Sequence, residues 1–232
     1  MINRSAPVML IAFILLIPTP FTSCVVEDSA DVNQDKIYAD YELFYNSNND
    51  KTWVVARFSF GGSTGTNLQL SEPASVSFGN DVLPFNPLFQ AHFKEYPGRL
   101  PGGTFTYINT ENTTFENTVP SYEEIEFSSN FDTLSKSSAQ ALAWDGSALA
   151  PNQQVALFIG SWTWGQDALF YQDGDGATDL VMGTSQLSQL ATGKSTCYMD
   201  RFTGLEVTQG TPEGGRIRGK YRAKNQEVTI TE

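Results

Sequence analysis

The sequence predicts an all-β protein. Across its 232 residues, apolar residues almost nowhere recur at the spacings of three and four that mark an amphipathic helix. Short runs instead alternate apolar and polar residues, as half-buried strands do. Glycine, proline, asparagine and aspartate bound these runs, and the segments 46–50 and 61–65 are rich in such turn residues. Frequent turns of this kind separate many short strands.

The strand patterns fall into two successive sets. The first set comprises residues 37–44, 53–60, 67–70, 74–78, 103–108, 114–119 and 125–127. The second set comprises residues 140–144, 154–160, 168–172, 177–182, 196–201, 204–208, 216–221 and 227–230. Residues 187–190 predict one short helical turn within the second set.

Each set of short, evenly spaced strands within about 100 residues favours an immunoglobulin-like sandwich over a barrel. The two sets therefore predict two tandem immunoglobulin-like β-sandwich domains, at residues 37–128 and 129–232. The segment 128–137 between them is rich in serine and poor in large aliphatic residues. That composition is typical of an inter-domain connection.

Residues 1–23 predict a secretion signal. Arg4 precedes an apolar run at 8–17, and small residues then lead to Cys24. The run is too short to cross a bilayer as a helix, which needs roughly 20 residues. Residues 24–36 follow with several acids and few large apolar side chains, so they predict a short, flexible acidic tether.

The residues just before Cys24 resemble the lipobox of bacterial lipoproteins. The order of this cysteine, the acids Glu27 and Asp28, and tandem β-sandwiches resembles surface lipoproteins of the Bacteroidota type. The resemblance implies that Cys24 carries the lipid and holds the protein at the outer membrane, facing the cell surface or the periplasm. It also implies O-glycosylation at Ser29 and Thr133, which lie in short Asp-Ser-Ala and Asp-Thr-Leu motifs. It implies no reaction.

A disulfide between Cys24 and Cys197 is the alternative to lipidation, because an exported chain reaches an oxidising compartment. Lipid at the Cys24 sulfur would leave Cys197 unpaired. No histidine or lysine flanks Cys197 to lower its pKa, so we then expect a small buried residue and not a reactive thiol.

The formal net charge of −12 limits the partners. Nucleic acid and anionic membrane surfaces repel so acidic a chain. The expected partners are therefore a membrane, reached through the N-terminal lipid, and a glycan or another envelope protein.

The C-terminal part of the chain carries cations at alternate positions. They are Arg216, Arg218, Lys220, Arg222 and Lys224. On a strand, alternate residues share one face. Two interpretations remain open: the cations pair with acids on neighbouring strands, or they form a stripe that binds an acidic glycan or a lipid phosphate.

Trp162 and Trp164 flank a threonine, and Tyr171 follows nearby. In an extended segment the two indoles face one side, where exposed rings could stack on sugars. Packing in a core or between domains is the alternative, because tryptophan buries a large apolar area.

The residues Asp31, Asn33, Asp35 and Glu42 match in part the oxygen-ligand spacing of a helix-flanked calcium loop. Lys36 stands where the loop needs glycine, and Glu42 falls in a strand pattern, so a tether without cofactor is favoured and calcium is the alternative. The acids at 173–179 alternate with glycines, which favours a hairpin turn.

No catalytic constellation emerges from the sequence. The segment 61–65 fits G-x-S-x-G in letters, but strand patterns lie on both sides of it. His92 is the only histidine and lacks a nucleophile motif, and Glu124 and Glu126 would share one strand face. The sequence therefore predicts a non-catalytic binding or scaffolding module. A surface hydrolase or its accessory, acting on glycan or peptide, and a structural spacer are the alternatives.

Overall fold

The computed structural model describes residues 26–160 and 165–232. Strands hold 52% of the residues and helices 5%, which confirms the prediction of an all-β protein. The strands form several sheets, as a sandwich requires. In the described part of the chain, no helix is long and apolar enough to cross a membrane.

The strands of the first half are mostly short. They are β1 (Glu27–Asp28), β2 (Ile37–Asn46), β3 (Lys51–Phe60), β4 (Thr66–Gln69), β5 (Ser75–Phe78), β6 (Asp81–Val82), β7 (Phe85–Asn86), β8 (Ala91–Pro97), β9 (Thr104–Ile108), β10 (Thr114–Thr118) and β11 (Glu126–Phe127). Two 3-10 turns, Ser29–Asp31 and Gln34–Lys36, lie between β1 and β2. Strand β8 was not predicted, because Ala91 and His92 are both buried and break the alternation.

The second half adds more strands and one helix. They are β12 (Thr133–Ser135), β13 (Gln140–Asp145), β14 (Gln153–Ile159), β15 (Ala168–Gln172), β16 (Asp179–Met182), α1 (Thr184–Leu187), β17 (Gly193–Glu206), β18 (Gly215–Arg222) and β19 (Gln226–Thr231). The predicted strand 196–201 and the first three residues of the predicted strand 204–208 belong to the single strand β17, since Gly204 pairs with Arg218 and does not end it. Helix α1 ends at Leu187, where the predicted turn at 187–190 begins, and the backbone N–H of Leu190 donates to the carbonyl oxygen of Leu187 (3.1 Å).

The largest sheet follows the order β1-β4-β3-β2-β18-β17-β14-β15. Strand β8 also pairs with β3 and carries β7, while β19 pairs with β17 and carries β12. Two smaller sheets have the orders β10-β9-β5-β6 and β11-β13-β16.

Parallel pairing of β2 with β18 joins the two halves of the chain, with Leu43 opposite Gly219. A Cβ at Gly219 would lie 2.9 Å from the carbonyl oxygen of Pro120, so glycine lets that segment cross the strand closely. One sheet therefore continues across the predicted boundary between residues 128 and 129.

Buried side chains from both halves form one hydrophobic cluster. It includes Leu43 and Phe58 from the first half and Leu157 and Ile217 from the second. Two tandem immunoglobulin-like domains remain a prediction, and the shared sheet and core argue against two independent ones. Strand patterns could not reveal this, because parallel pairing between distant segments leaves no local signal.

Residues 27–36 pack against the sheet, so the prediction of a flexible tether is wrong for them. Strand β1 pairs in parallel with β4. Ser29 is fully buried, and its hydroxyl accepts a hydrogen bond from the backbone N–H of Ser71 (3.2 Å). Asp28 accepts another from the Ser71 hydroxyl. These polar contacts hold a segment that has few large apolar side chains.

The burial of Ser29 also corrects the predicted O-glycosylation there, since a transferase cannot reach this hydroxyl in the folded chain. Thr133 is exposed on β12, and its modification stays a prediction. The predicted secretion signal at 1–23 and the lipidation site Cys24 lie outside the described residues.

Candidate functional site

A groove with a volume of about 900 Å³ lies on the outer face of the largest sheet. Its floor comes from β14, β15, β17 and β18, which are neighbours in that sheet. Gln186 of α1 and Gln189 just after it form one wall. The second half of the chain thus supplies the whole groove.

Strand alternation decides which side chains reach the groove. On β14, Val155 and Leu157 are buried in the core, whereas Ala156 and Phe158 line the groove. The antiparallel strand β17 places Tyr198 opposite Phe158, with ring centroids 5.9 Å apart. These two strands therefore give the groove an aromatic floor.

Strand β15 gives the groove its most exposed apolar side chains. Leu169 and Tyr171 are 40% and 57% exposed. The side-chain amide of Gln186 donates to the carbonyl oxygen of Leu169 (2.9 Å), which ties the wall to the floor. An exposed ring beside fixed amide groups is a surface that can bind a partly apolar, partly polar ligand.

Of the three aromatic residues that the sequence proposes as a sugar platform, Tyr171 lies in the groove. Trp162 and Trp164 follow β14 and precede β15 in the sequence, but they lie outside the described residues.

The other end of the groove is charged. Asp200 accepts two hydrogen bonds from the Arg222 guanidinium, at 2.6 and 2.8 Å, and lies 2.7 Å from the Lys220 ammonium. Burial by itself would raise the pKa of Asp200, but the Arg222 hydrogen bonds and the two positive charges outweigh it and hold this pKa below its ordinary value. Asp200 is therefore an anion that is held between two cations.

The predicted row of cations pairs with acids of the same sheet. Arg216 lies 2.7 Å from Asp40, and Arg218 lies 3.1 Å from Glu42. With Lys220 and Arg222 bound to Asp200, four of the five cations have acidic partners on neighbouring strands. Lys224 is exposed beyond the end of β18. The structure thus has the internal pairing that was the first of the two interpretations.

The calcium alternative does not match the geometry. Glu42 points from β2 toward Arg218, and the Asn33 side chain accepts a hydrogen bond from the backbone N–H of Asp35 (2.9 Å). Asp31 belongs to a 3-10 turn that packs beside the sheet. Within the described residues, no group of three or more His, Cys, Asp or Glu side chains could hold a metal ion. Asp173 and Asp175 lie in the connection between β15 and β16, as a turn would, and Asp179 is the first residue of β16.

The side chains considered for catalysis have structural partners. His92 is buried, its Nδ1 lies 2.9 Å from the carbonyl oxygen of Leu83, and its Nε2 accepts from the backbone N–H of Leu70 (3.2 Å). Burial lowers the pKa of His92, so the neutral ring is favoured. Glu124 pairs with Arg99, and Glu126 accepts from the hydroxyl of Tyr221.

The segment 61–65 is the turn between β3 and β4, where Gly65 N donates to Gly62 O (3.0 Å). Cys197 is fully buried on β17, and its burial raises its pKa to about 12, as expected for an unreactive thiol.

Sequence reasoning missed several groove residues. The sequence did not mark these residues as site candidates, because none of them belongs to an unusual local pattern. They are Leu169, Gln186, Gln189 and Asp200. The alternation of Leu169 and Tyr171 on one strand was the available signal. The neighbouring positions of β15, β14 and β17, which create the groove, follow only from the sheet order.

Comparison with models of known protein families finds no match to this chain, and comparison with curated proteins finds no similar sequence.

Proposed function

We propose that this protein is a cell-envelope lipoprotein, anchored through Cys24, that works as a non-catalytic binding module for a glycan. The observation that carries the proposal is the groove beside Tyr171, where an aromatic floor, exposed apolar side chains and amide groups meet. In this proposal the two sets of strands, within residues 37–128 and 129–232, form the two halves of one binding module. The immunoglobulin-like character proposed for each rests on the strand pattern alone.

The chemistry of the groove favours a neutral glycan. Sugar rings present apolar C–H faces that pack on aromatic side chains, and their hydroxyls bond to amides such as Gln154, Gln186 and Gln189. The two cations that line the groove, Lys220 and Arg222, are matched in number by two acids, Asp167 and Asp200, so the groove offers no net positive charge to an acidic ligand. A large negative net charge argues against nucleic acid in the same way.

A glycan-cleaving enzyme is the second candidate, because two acids, Asp167 and Asp200, line the same groove. A glycosidase needs one carboxyl with a raised pKa to protonate the leaving oxygen. The lowered pKa of Asp200 does not suit that role, so binding without cleavage is favoured. Turnover of a chromogenic glycoside that disappears in Asp167→Asn would support the enzyme.

Replacing Tyr171 with alanine is expected to weaken glycan binding about tenfold to hundredfold, since burying an aromatic side chain contributes roughly 1.5–3 kcal/mol. The purified protein is first screened on an array of neutral and acidic glycans. Affinities for the glycans that bind are then measured by calorimetry for the wild type and the variant.

Val181→Ala is the matched control, because Val181 is 61% exposed on β16 and does not line the groove. We expect it to bind as the wild type does. Equal binding by the Tyr171 variant, or a wild type that binds no glycan, would contradict the proposal. Labelling with a fatty-acid analogue, lost in Cys24→Ala, tests the anchor separately.

A further inference from the structure

We propose that the loop 87–90 is a second membrane contact, which inserts Leu88 and Phe89 into the lipid surface to which Cys24 anchors the chain. This inference rests on the proposed lipid anchor. It concerns the edge of the sheet opposite the groove and does not depend on the ligand.

The loop presents apolar side chains outward. It connects β7 with β8, and Leu88 and Phe89 are 83% and 41% exposed. Residues 85–90 contain no charged side chain. A lipid surface accepts such a tip, whereas water disfavours it.

The loop is held in shape before any contact. The Asn86 side chain accepts hydrogen bonds from the backbone N–H groups of Leu88 (2.9 Å) and Phe89 (3.3 Å). The Phe89 ring packs against Phe93 and Trp53, with centroids 4.9 and 6.2 Å apart. Little ordering is therefore needed when the tip enters the lipid.

The loop lies at the sheet edge that carries β1, the first described strand. The Gln90 side chain accepts a hydrogen bond from the Asn67 amide (2.7 Å), and Asn67 precedes Leu68, the partner of Glu27 in the β1–β4 pair. Cys24 precedes Glu27 by three residues, a stretch that spans at most about 11 Å. A lipid on Cys24 would therefore place the bilayer surface beside this edge.

Charge favours an apolar contact over an electrostatic one. A chain of net charge −12 gains nothing from anionic headgroups, so a second attachment has to come from apolar side chains. A lipid on Cys24 alone would hold the protein at the membrane surface but would leave its orientation relative to the membrane free. A rigid apolar loop at the same edge fixes the orientation as well.

This orientation would direct the groove away from the bilayer. Strand β8 lies six strand spacings from β15 along the path β8-β3-β2-β18-β17-β14-β15. At about 4.8 Å per spacing, the groove begins at β18, about 14 Å from the loop edge along the sheet, and ends at β15, about 29 Å from it.

An environment-sensitive fluorophore at position 88 tests the inference. The full chain with Leu88→Cys is expressed in cells and purified as the mature protein, and mass spectrometry establishes whether Cys24 is acylated. Acyl-blocked Cys24 and fully buried Cys197 leave position 88 as the thiol that reacts with the label. The labelled protein is then reconstituted into phosphatidylcholine vesicles.

We expect a blue shift and a several-fold rise in emission at position 88, with quenching by nitroxide-bearing lipids. Val181→Cys, exposed near the opposite edge, is the control and should show no change. Acylated protein without a shift at position 88 would overturn this inference alone. Absence of the fatty acid would overturn both the anchor and the inference, and a shift that needs no vesicles would indicate contact between protein copies instead.

Discussion

Replacing Arg201 with methionine is expected to lower the free energy of unfolding by about 3 kcal/mol. Arg201 is fully buried on β17, and its guanidinium donates to the carbonyl oxygens of Ser147 (2.9 Å) and Ala148 (3.0 Å) and to the Gln153 side chain (2.5 Å). It also lies 3.2 Å from Glu123. Methionine fills much of the space but removes all of these charge-assisted hydrogen bonds. Ser147 O keeps its bond from the Trp144 indole (3.2 Å), and the Gln153 side chain keeps its bond from the backbone N–H of Ala150 (3.0 Å), whereas the Ala148 carbonyl oxygen and Glu123 lose the Arg201 guanidinium.

Urea unfolding followed by circular dichroism measures this loss. Arg216→Met is the matched control, because the Arg216 side chain is 46% exposed and its single acidic partner is Asp40. Asp40 keeps Arg218 (3.4 Å) as a partner in this variant, and a partner as exposed as Arg216 contributes only about 0–1 kcal/mol, so the control should change stability little. Similar losses in the two variants would contradict the role assigned to Arg201.

Asp200→Asn is expected to destabilise the protein by about 3 kcal/mol at pH 7, because it leaves Lys220 and Arg222 close together without their shared, largely buried anion. Urea unfolding of both proteins at pH 7 measures this difference. A variant as stable as the wild type at pH 7 would show that the two cations do not need this carboxylate.

The loss in Asp200→Asn should depend on pH in a defined direction. The folded pKa of Asp200 lies below its unfolded value of about 3.9, so its carboxylate stabilises the fold fully above about pH 4. That contribution disappears as the pH falls through the folded pKa. The difference between wild type and variant should therefore shrink toward zero in strong acid, and a constant difference from pH 7 to pH 2 would exclude this cause.

The sequence predicted the strands better than their partners. Alternation marked β2, β3, β14 and β18 correctly, because each has one face toward the core. It could not predict that β2 and β18 pair in parallel, since their partners lie far apart in the chain. The predicted division at residue 128 was made from the strand patterns alone and does not take this pairing into account.

The same limit applied to the site. The alternating cations were visible in the sequence, but their partners Asp40, Glu42 and Asp200 come from two other strands. The sequence did not predict a structural role for Arg201. A charged residue at a core-facing position is usually interpreted as the end of a strand, and the predicted strand 196–201 ended there. Packing around its guanidinium explains why the fold accepts it there.

Differential scanning calorimetry tests most directly whether residues from both halves of the chain form one body. A sheet and a core shared between the halves predict one cooperative transition, with a calorimetric enthalpy equal to the van't Hoff enthalpy. Two separate transitions would contradict the prediction that the two halves unfold together. In that case Arg201→Met would shift only the transition that belongs to residues 129–232.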